Sequence, residues 1–406
     1  MFSLDSGYDQ AFLTSYPAMR FTDTLPIPSA EALAHSEQLK AVIRHRIQEH
    51  GGKISFYAFM QAALYEPSLG YYVAGLRKIG AEGDFVTAPE ISPLFSQCLA
   101  NQCAQILAEI SHSSILELGA GSGLMAADIL LRLEQLSCLP ERYFILDLSP
   151  DLQARQHETL TKYVPHLLSK VQWLTSLPSE PLRGVILGNE VLDAMPVELF
   201  NVSEQGFASV QVSLVEDEFT FTTLPSSAAE YLQTLLPTDL TLSYTSEFNP
   251  ALTPWIHSLA DHLEAGAVLL IDYGYERADY YHPERSQGTL LCHYQHRVHS
   301  NALIYPGLQD LTASVDFTAV AEAGLEAGLQ LAGYTTQAAF LASCGLEDLF
   351  LQALNADPQA NYRLAQQIRT LSLPSEMGER FKVIALTKEF TTPLLGFRLG
   401  DRQHRL

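Results

Sequence analysis

Residues 114–133 read SILELGAGSGLMAADILLRL, and no other stretch restricts the fold as tightly. A short apolar run (Ile115, Leu116, Leu118) reaches Gly119, Gly121 and Gly123, and a helical spacing of apolar residues follows at once. Glycine adopts left-handed backbone angles without a Cβ clash and lets a ligand approach the chain closely. A strand feeding such a turn and then a helix is the opening unit of a doubly wound α/β sheet, and its turn lies on the carboxyl edge where such sheets bind ligands. Taken alone, the turn also reads as a tight strand-to-helix connection with no ligand. A dinucleotide fingerprint, G-x-G-x-x-G, needs its third glycine at position 124. That residue is Leu124, and Glu117 stands two positions before the first glycine.

The rest of the chain supports an α/β reading. Strands are expected at 115–118, 143–148, 171–174, 184–189 and 266–274, separated by helical patterns; short, continuously apolar strands between helices predict a parallel, doubly wound Rossmann-like sheet. The helix after the glycine turn is expected to bury Met125, Ile129, Leu133 and Leu136. Residues 1–30 read as a loose arm, 31–92 as an N-terminal helical region with Thr87 and Glu90 at capping-box spacing, and 93–290 as the core. Within that core, a β-rich insertion at about 198–250 begins with the alternating pattern of an antiparallel meander. Residues 291–375 read as a helical insertion, and 376–406 return a strand to the sheet.

Net charge is −22, from 24 basic and 46 acidic residues. Such a surface repels nucleic-acid phosphates, and it either attracts basic partners or serves solubility alone. Five cysteines form no CxxC pair, no secretory leader is visible, and no apolar run reaches the ~20 residues of a bilayer span. A cytoplasmic protein without membrane insertion is expected, and apolar stretches of the meander suggest a homodimer.

The acids sharpen the cofactor reading. Asp147, followed by Leu148, ends the second strand and is placed to accept from both ribose hydroxyls of an adenosine; it also reads as a helix cap, a role Asp151 can fill. Asn189, Glu190 and Asp193 leave the fourth strand where a cofactor's reactive end would face its substrate, unless they are only solvated loop acids. Carboxylates repel a pyrophosphate but attract the sulfonium and ammonium of S-adenosylmethionine, so Glu117, Asp147, Glu190 and Asp193 favour that cofactor over NAD. His293, His296 and His299 recur every three residues without completing a ligand pattern, so no metal is expected. No G-x-S-x-G elbow or Walker loop occurs.

Together GDFVTAPEIS, LELGAGSG, GNEVLDAMPV, GTLLCHYQHR, PGLQDLTASVDFTAV and GERFKVI resemble the MidA family of S-adenosylmethionine-dependent methyltransferases, over about residues 50–390. The resemblance implies that Gly119, Ala120, Gly121 and Gly123 line the cofactor, that Asp147 holds its ribose, and that Thr87, Pro89 and Glu90 close over the pocket. It also implies that Asn189, Glu190 and Asp193 face the methyl group. Mitochondrial members of the family act as an arginine methyltransferase in complex I assembly, which makes a protein side chain such as arginine the expected acceptor. A non-catalytic, cofactor-binding assembly protein is the alternative, with an NAD-dependent oxidoreductase behind it. The chain departs from the family at Ser314, where a histidine commonly precedes VDF, and within the GAGSG turn.

Overall fold

The computed structural model describes residues 20–21, 25–74, 87–237, 240 and 243–406. Helix α1 (Ala30–Glu49) starts where the Ser29 hydroxyl accepts from the Ala32 amide, and it buries Leu39, Ile43 and Ile47. Strand β1 (Lys53–Ser55) and helix α2 (Phe56–Tyr65) follow. A single turn, α3 (Ala88–Ile91), precedes α4 (Pro93–Glu109), which Ser92 caps and Pro93 opens at a position that needs no amide donor. Strands and helices then alternate: β2 (Ser114–Leu118), α5 (Leu124–Gln135), β3 (Tyr143–Leu146), α6 (Pro150–Tyr163), β4 (Val171–Leu174) and β5 (Leu182–Asn189). The meander β6 (Glu198–Ser203), β7 (Gly206–Val215) and β8 (Glu218–Pro225) leads through α7 (Ala229–Leu235) to β9 (Tyr244–Phe248). Helix α8 (Leu252–Asp261) and the long β10 (Leu263–Tyr275) return to the sheet. Short strands β11 (Leu291–Tyr294), β12 (Arg297–His299) and β13 (Asp310–Thr312) come before α9 (Phe317–Glu326) and β14 (Gln330–Thr336). Helices α10 (Gln337–Ser343), α11 (Leu346–Ala353) and α12 (Pro358–Ser372) then lead to β15 (Phe381–Lys388).

The main sheet has the order β14-β15-β10-β5-β2-β3-β4, with Val315–Asp316 pairing beside the end of β10. Strands β10, β5, β2, β3 and β4 are mutually parallel, whereas β15 runs antiparallel to both neighbours. The sheet is therefore mixed, with one departure from the parallel reading. Strand β5 shows why these runs are continuously apolar: Val185 and Leu187 pack on one side with α4 and α5, and Ile186 packs on the other with α8 and α9. The order reverses between β2 and β5, and the crevice at their carboxyl ends is the place such a sheet offers a ligand.

A second lobe is assembled from pieces distant in sequence. Strands β9-β6-β7-β1 form its sheet, with β8 on the far side of β7. Ile43 and Phe56 from the N-terminal helices, Val210 and Val212 from the meander, and Cys292 and Leu311 from the short strands share one apolar core.

Three expectations need correction. Residues 291–375 are not a helical insertion: β11 to β13 pair with one another in a small sheet, and β14 is an edge strand of the main sheet. The helical pattern stops because Gly328 (φ +81°) and the Leu329 amide, which donates to the Gly324 carbonyl at 2.9 Å, close α9 before β14 begins. Leu136 is exposed, because it falls just past the last residue of α5. The N-terminal region also contributes a strand, β1, which pairs with β7. Within the expected arm, residues 1–19 and 22–24 lie outside the described residues, while Arg20–Phe21 pair with β12.

Candidate active site

A cavity of about 360 Å³ opens at the β2/β5 crevice. Its wall brings together Thr87, Pro89, Glu90, Glu117, Gly119, Ala120, Gly121, Asp147, Leu148, Asn189, Glu190 and Asp193. Gly123 is not on that wall. It caps α5 with φ +84°, and a Cβ there would lie 3.0 Å from the Gln156 Cα, so the glycine lets α6 pack against the turn. Thr87 begins α3 without a side-chain cap bond, so the capping-box reading fails; Glu90 instead accepts a hydrogen bond from the Ser122 hydroxyl on the turn.

The cofactor side is built around two carboxylates. Asp147 accepts from the Ser149 amide at 2.9 Å and from Gln156 Nε2 at 2.7 Å, and each oxygen keeps acceptor capacity for a hydroxyl. Ser149, not Asp151, caps α6. Gln156 also donates to the Gly121 carbonyl at 3.2 Å and accepts from the Trp173 indole at 3.1 Å, tying the turn to Asp147. Glu117 is buried at the end of β2 and accepts from the Tyr143 hydroxyl at 2.6 Å through Oε2, while Oε1 has no partner. Burial pushes Glu117 up to about 7, the Tyr143 bond opposing and Asp147 adding repulsion.

The other side is richer in acid. Glu190 sits at φ +53°, a left-handed angle uncommon outside glycine, held by its amide's 2.9 Å bond to the Ile271 carbonyl. Desolvation, then the neighbouring Asp193, drives Glu190 to about 8, while Asn189 and the Ala88 amide bond to its carboxylate in opposition. Asp193 is raised to about 6 by burial, with hydrogen bonding from Tyr273 pulling it down. Asp272, fully buried beneath them, accepts from the Leu192 and Asp193 amides at 2.9 and 3.2 Å and fixes this loop. Asn189 is 8% exposed and its Oδ1 has no hydrogen-bond partner.

Residues that the sequence reading did not select also line the wall, among them Tyr65, Tyr72, Trp255, Tyr273, Asp310, Thr312 and one cation, Arg380. The three histidines part company. His293 lines the cavity with Nε2 3.2 Å from the Thr312 hydroxyl, and burial lowers it to about 4, whereas His296, in the turn between β11 and β12, and the buried His299 lie off the wall. Among the described residues no group of three or more His, Cys, Asp or Glu side chains is placed to hold a metal ion. Ser314 is also off the wall, its amide bonded to the Thr289 hydroxyl at 2.9 Å.

An acid-lined crevice with buried, unpartnered acceptors at Glu117 and Asn189 fits a nucleoside that carries positive charge. Residues 98–335, more than half of the chain, match the family model of S-adenosyl-L-methionine-dependent methyltransferases. The chain belongs to that family. A protein from Burkholderia thailandensis crystallised with S-adenosyl-homocysteine superposes with a TM-score of 0.91 at 43% identity, covering 94% of this chain and 100% of that one. A native crystal structure from the same organism gives 0.89 at 42% identity over the same shares. Protein arginine methyltransferase NDUFAF7, mitochondrial, of Danio rerio is 29% identical over 381 residues, 86% of this chain and 87% of the relative. The Homo sapiens protein of that name is 29% identical over 367 residues, 82% and 80% of the two chains. The methyltransferase is thus of the MidA type that its motifs resemble, and S-adenosylmethionine is its cofactor.

A cytoplasmic location does not stand. The curated relatives in fish, cattle, human and nematode are all named mitochondrial. Lack of a secretory pattern bears on secretion alone and leaves entry into an organelle open. Among the described residues no helix is long and apolar enough to cross a membrane.

Proposed function

We propose that this methyltransferase modifies the guanidinium of arginine in a protein acceptor. The observation that carries this reading is the acidic end of the cavity, where Glu190 and Asp193 stand above the buried Asp272. Arginine stays charged in water, and a cavity that raises the proton affinity of its own carboxylates rewards an entering cation by letting them ionise. The relatives named as protein arginine methyltransferases support the same acceptor.

The wall residues selected from the sequence then have distinct roles. Asp147 holds the ribose hydroxyls, the turn at Gly119, Ala120 and Gly121 faces the nucleoside, and Glu117 answers its positive charge. Leu148 covers one edge, and Thr87, Pro89 and Glu90 close the entrance. S-adenosylmethionine supplies an electrophilic methyl group on a sulfonium sulfur, which keeps the electron pair of the broken bond and leaves as a neutral thioether. Asp193 orients the planar guanidinium through paired N–H bonds, Asn189 accepts a further N–H, and Glu190, the stronger base of the two acids, takes the proton that the methylated nitrogen loses. Holding the nucleophile in line supplies most of the acceleration, up to roughly 7–11 kcal/mol in favourable cases.

The test is methyl transfer from labelled cofactor to proteins extracted from cells lacking this gene, followed by amino-acid hydrolysis. Label is expected in methylarginine. Asp193→Ala is expected to bind S-adenosyl-homocysteine normally and to lower turnover by about 100-fold or more. Label in a different residue, or undiminished turnover in the variant, overturns the reading.

A further inference from the structure

We propose that Arg380 holds the carboxylate of the cofactor's methionine part, at the end of the cavity farthest from the ribose site. This role concerns the cofactor alone and does not depend on which acceptor the enzyme methylates.

The chemistry of the ligand raises the need. S-adenosylmethionine and S-adenosyl-homocysteine both end in an amino acid, so an ammonium and a carboxylate enter the cavity together. Acids on the wall attract the ammonium and repel the carboxylate. That wall carries Glu90, Glu117, Asp147, Glu190, Asp193 and Asp310, and among the described residues Arg380 is its one lysine or arginine. His293 is on the same wall, and burial keeps it uncharged above about pH 4.

The order of the sheet gives the ligand a direction. Asp147 follows β3, Glu117 lies in β2, Asn189 ends β5, Tyr273 lies near the end of β10 and Phe381 opens β15, and these five strands are consecutive. Tyr273 is the register partner of Phe381, with ring centres 5.6 Å apart, and both line the cavity beside Arg380. At ~4.8 Å between strands, four intervals separate the Asp147 and Arg380 positions by roughly 19 Å. With the ribose at Asp147, a methionine part crossing the tips of β2 and β5 runs toward Arg380, whose long side chain narrows the remaining gap.

The short turn Met377–Arg380 is firmly held. Lys382 Nζ donates to the Glu379 carbonyl and, at 3.4 Å, to the Arg380 carbonyl. Arg402 grips both oxygens of the Glu379 carboxylate at 3.1 Å. Arg380 has another interaction of its own. A guanidinium presents five N–H donors in a planar fork, so it can take a carboxylate while keeping a second partner.

Calorimetry on the full-length protein tests this with two ligands, S-adenosyl-homocysteine and its decarboxylated analogue, which keeps the adenosine, the sulfur and the ammonium. In Arg380→Gln, S-adenosyl-homocysteine affinity is expected to fall on the order of 30-fold. The analogue has a net positive charge, so losing a cation from an acidic wall leaves its affinity unchanged or raises it. Should Arg380→Gln fail to fold, Arg380→Lys carries the same comparison, with a loss of several-fold for S-adenosyl-homocysteine alone. If S-adenosyl-homocysteine binds the variant as it binds wild type, the carboxylate is held elsewhere and the proposal is overturned. If both ligands lose affinity alike, Arg380 is a structural cation and the proposal is likewise overturned.

Discussion

At the scale of single residues, the cavity stores an electrostatic cost that its ligands relieve. Native Glu190 is pushed to about 8 and Asp193 to about 6, chiefly by burial, against ordinary carboxyl values near 4. Both therefore hold their protons more tightly folded than unfolded. Below about pH 4 the two states are protonated alike at these positions. As pH rises from there through 6 and then 8, unfolding releases protons and the ligand-free fold loses stability. The melting temperature of the free protein is accordingly expected to fall across that window, and Glu190→Gln is expected to flatten the decline. Positive charge in the cavity drives the same acids to ionise. Calorimetry at pH 7 in two buffers of different ionisation heat is thus expected to show more proton release on binding S-adenosylmethionine than on binding S-adenosyl-homocysteine. Identical proton counts for the two ligands would contradict this electrostatic picture. Asp147 makes a simpler prediction. If it holds the ribose as proposed, Asp147→Ala deletes two charge-assisted bonds, and S-adenosyl-homocysteine affinity is expected to drop by about 100-fold or more.

At the scale of elements, the turn at 119–123 was readable because its requirement is local. Positive φ at Gly119, Gly121 and Gly123 is written directly as glycine. Asp147, Asn189, Glu190 and Asp193 were readable for a related reason: each ends or follows a strand whose apolar run announces its own end, and parallel strands bring those ends to one edge. Asp310 and Tyr72 were not readable in this way, because β13 has three residues and its partner His293 belongs to a strand of four. Segments that short carry no periodicity, and their pairing is decided by the lobe around them. Strand β14 was hidden for another reason, since the apolar spacing of α9 continues past Gly328 into LQLAGY and only the glycine's left-handed angle breaks it. The coupling of turn and helix can be tested at Gly123. An alanine there meets the Gln156 backbone at 3.0 Å in a left-handed conformation that costs roughly 1–2 kcal/mol on its own. Because Gln156 also braces Asp147, Gly123→Ala is expected to lower both the melting temperature and S-adenosyl-homocysteine affinity, the latter about tenfold. A variant that loses stability alone would show that the helix and the ribose site are independent.

At the scale of the whole molecule, the second lobe places Tyr65, Tyr72, His293, Asp310 and Thr312 on a cavity whose floor belongs to the sheet. The cavity thus depends on segments that fold together from residues 30–72, 198–248 and 291–313. Around it lies a chain with a net charge of −22, and a surface of one sign concentrates ligands of the other before they reach the site. A basic protein acceptor is drawn by this field, whereas S-adenosyl-homocysteine, with one ammonium and one carboxylate, has no net charge for it to act on. Salt separates the two. As the Debye length shrinks from about 10 Å at 0.1 M to about 3 Å at 1 M, the KM for an arginine-rich protein acceptor is expected to rise several-fold, while S-adenosyl-homocysteine affinity changes little. A short capped peptide with a single arginine should respond much less than the protein. A KM that ignores salt, or falls with it, would mean that recognition is confined to the cavity and that the acidic surface serves only to keep copies of the chain apart.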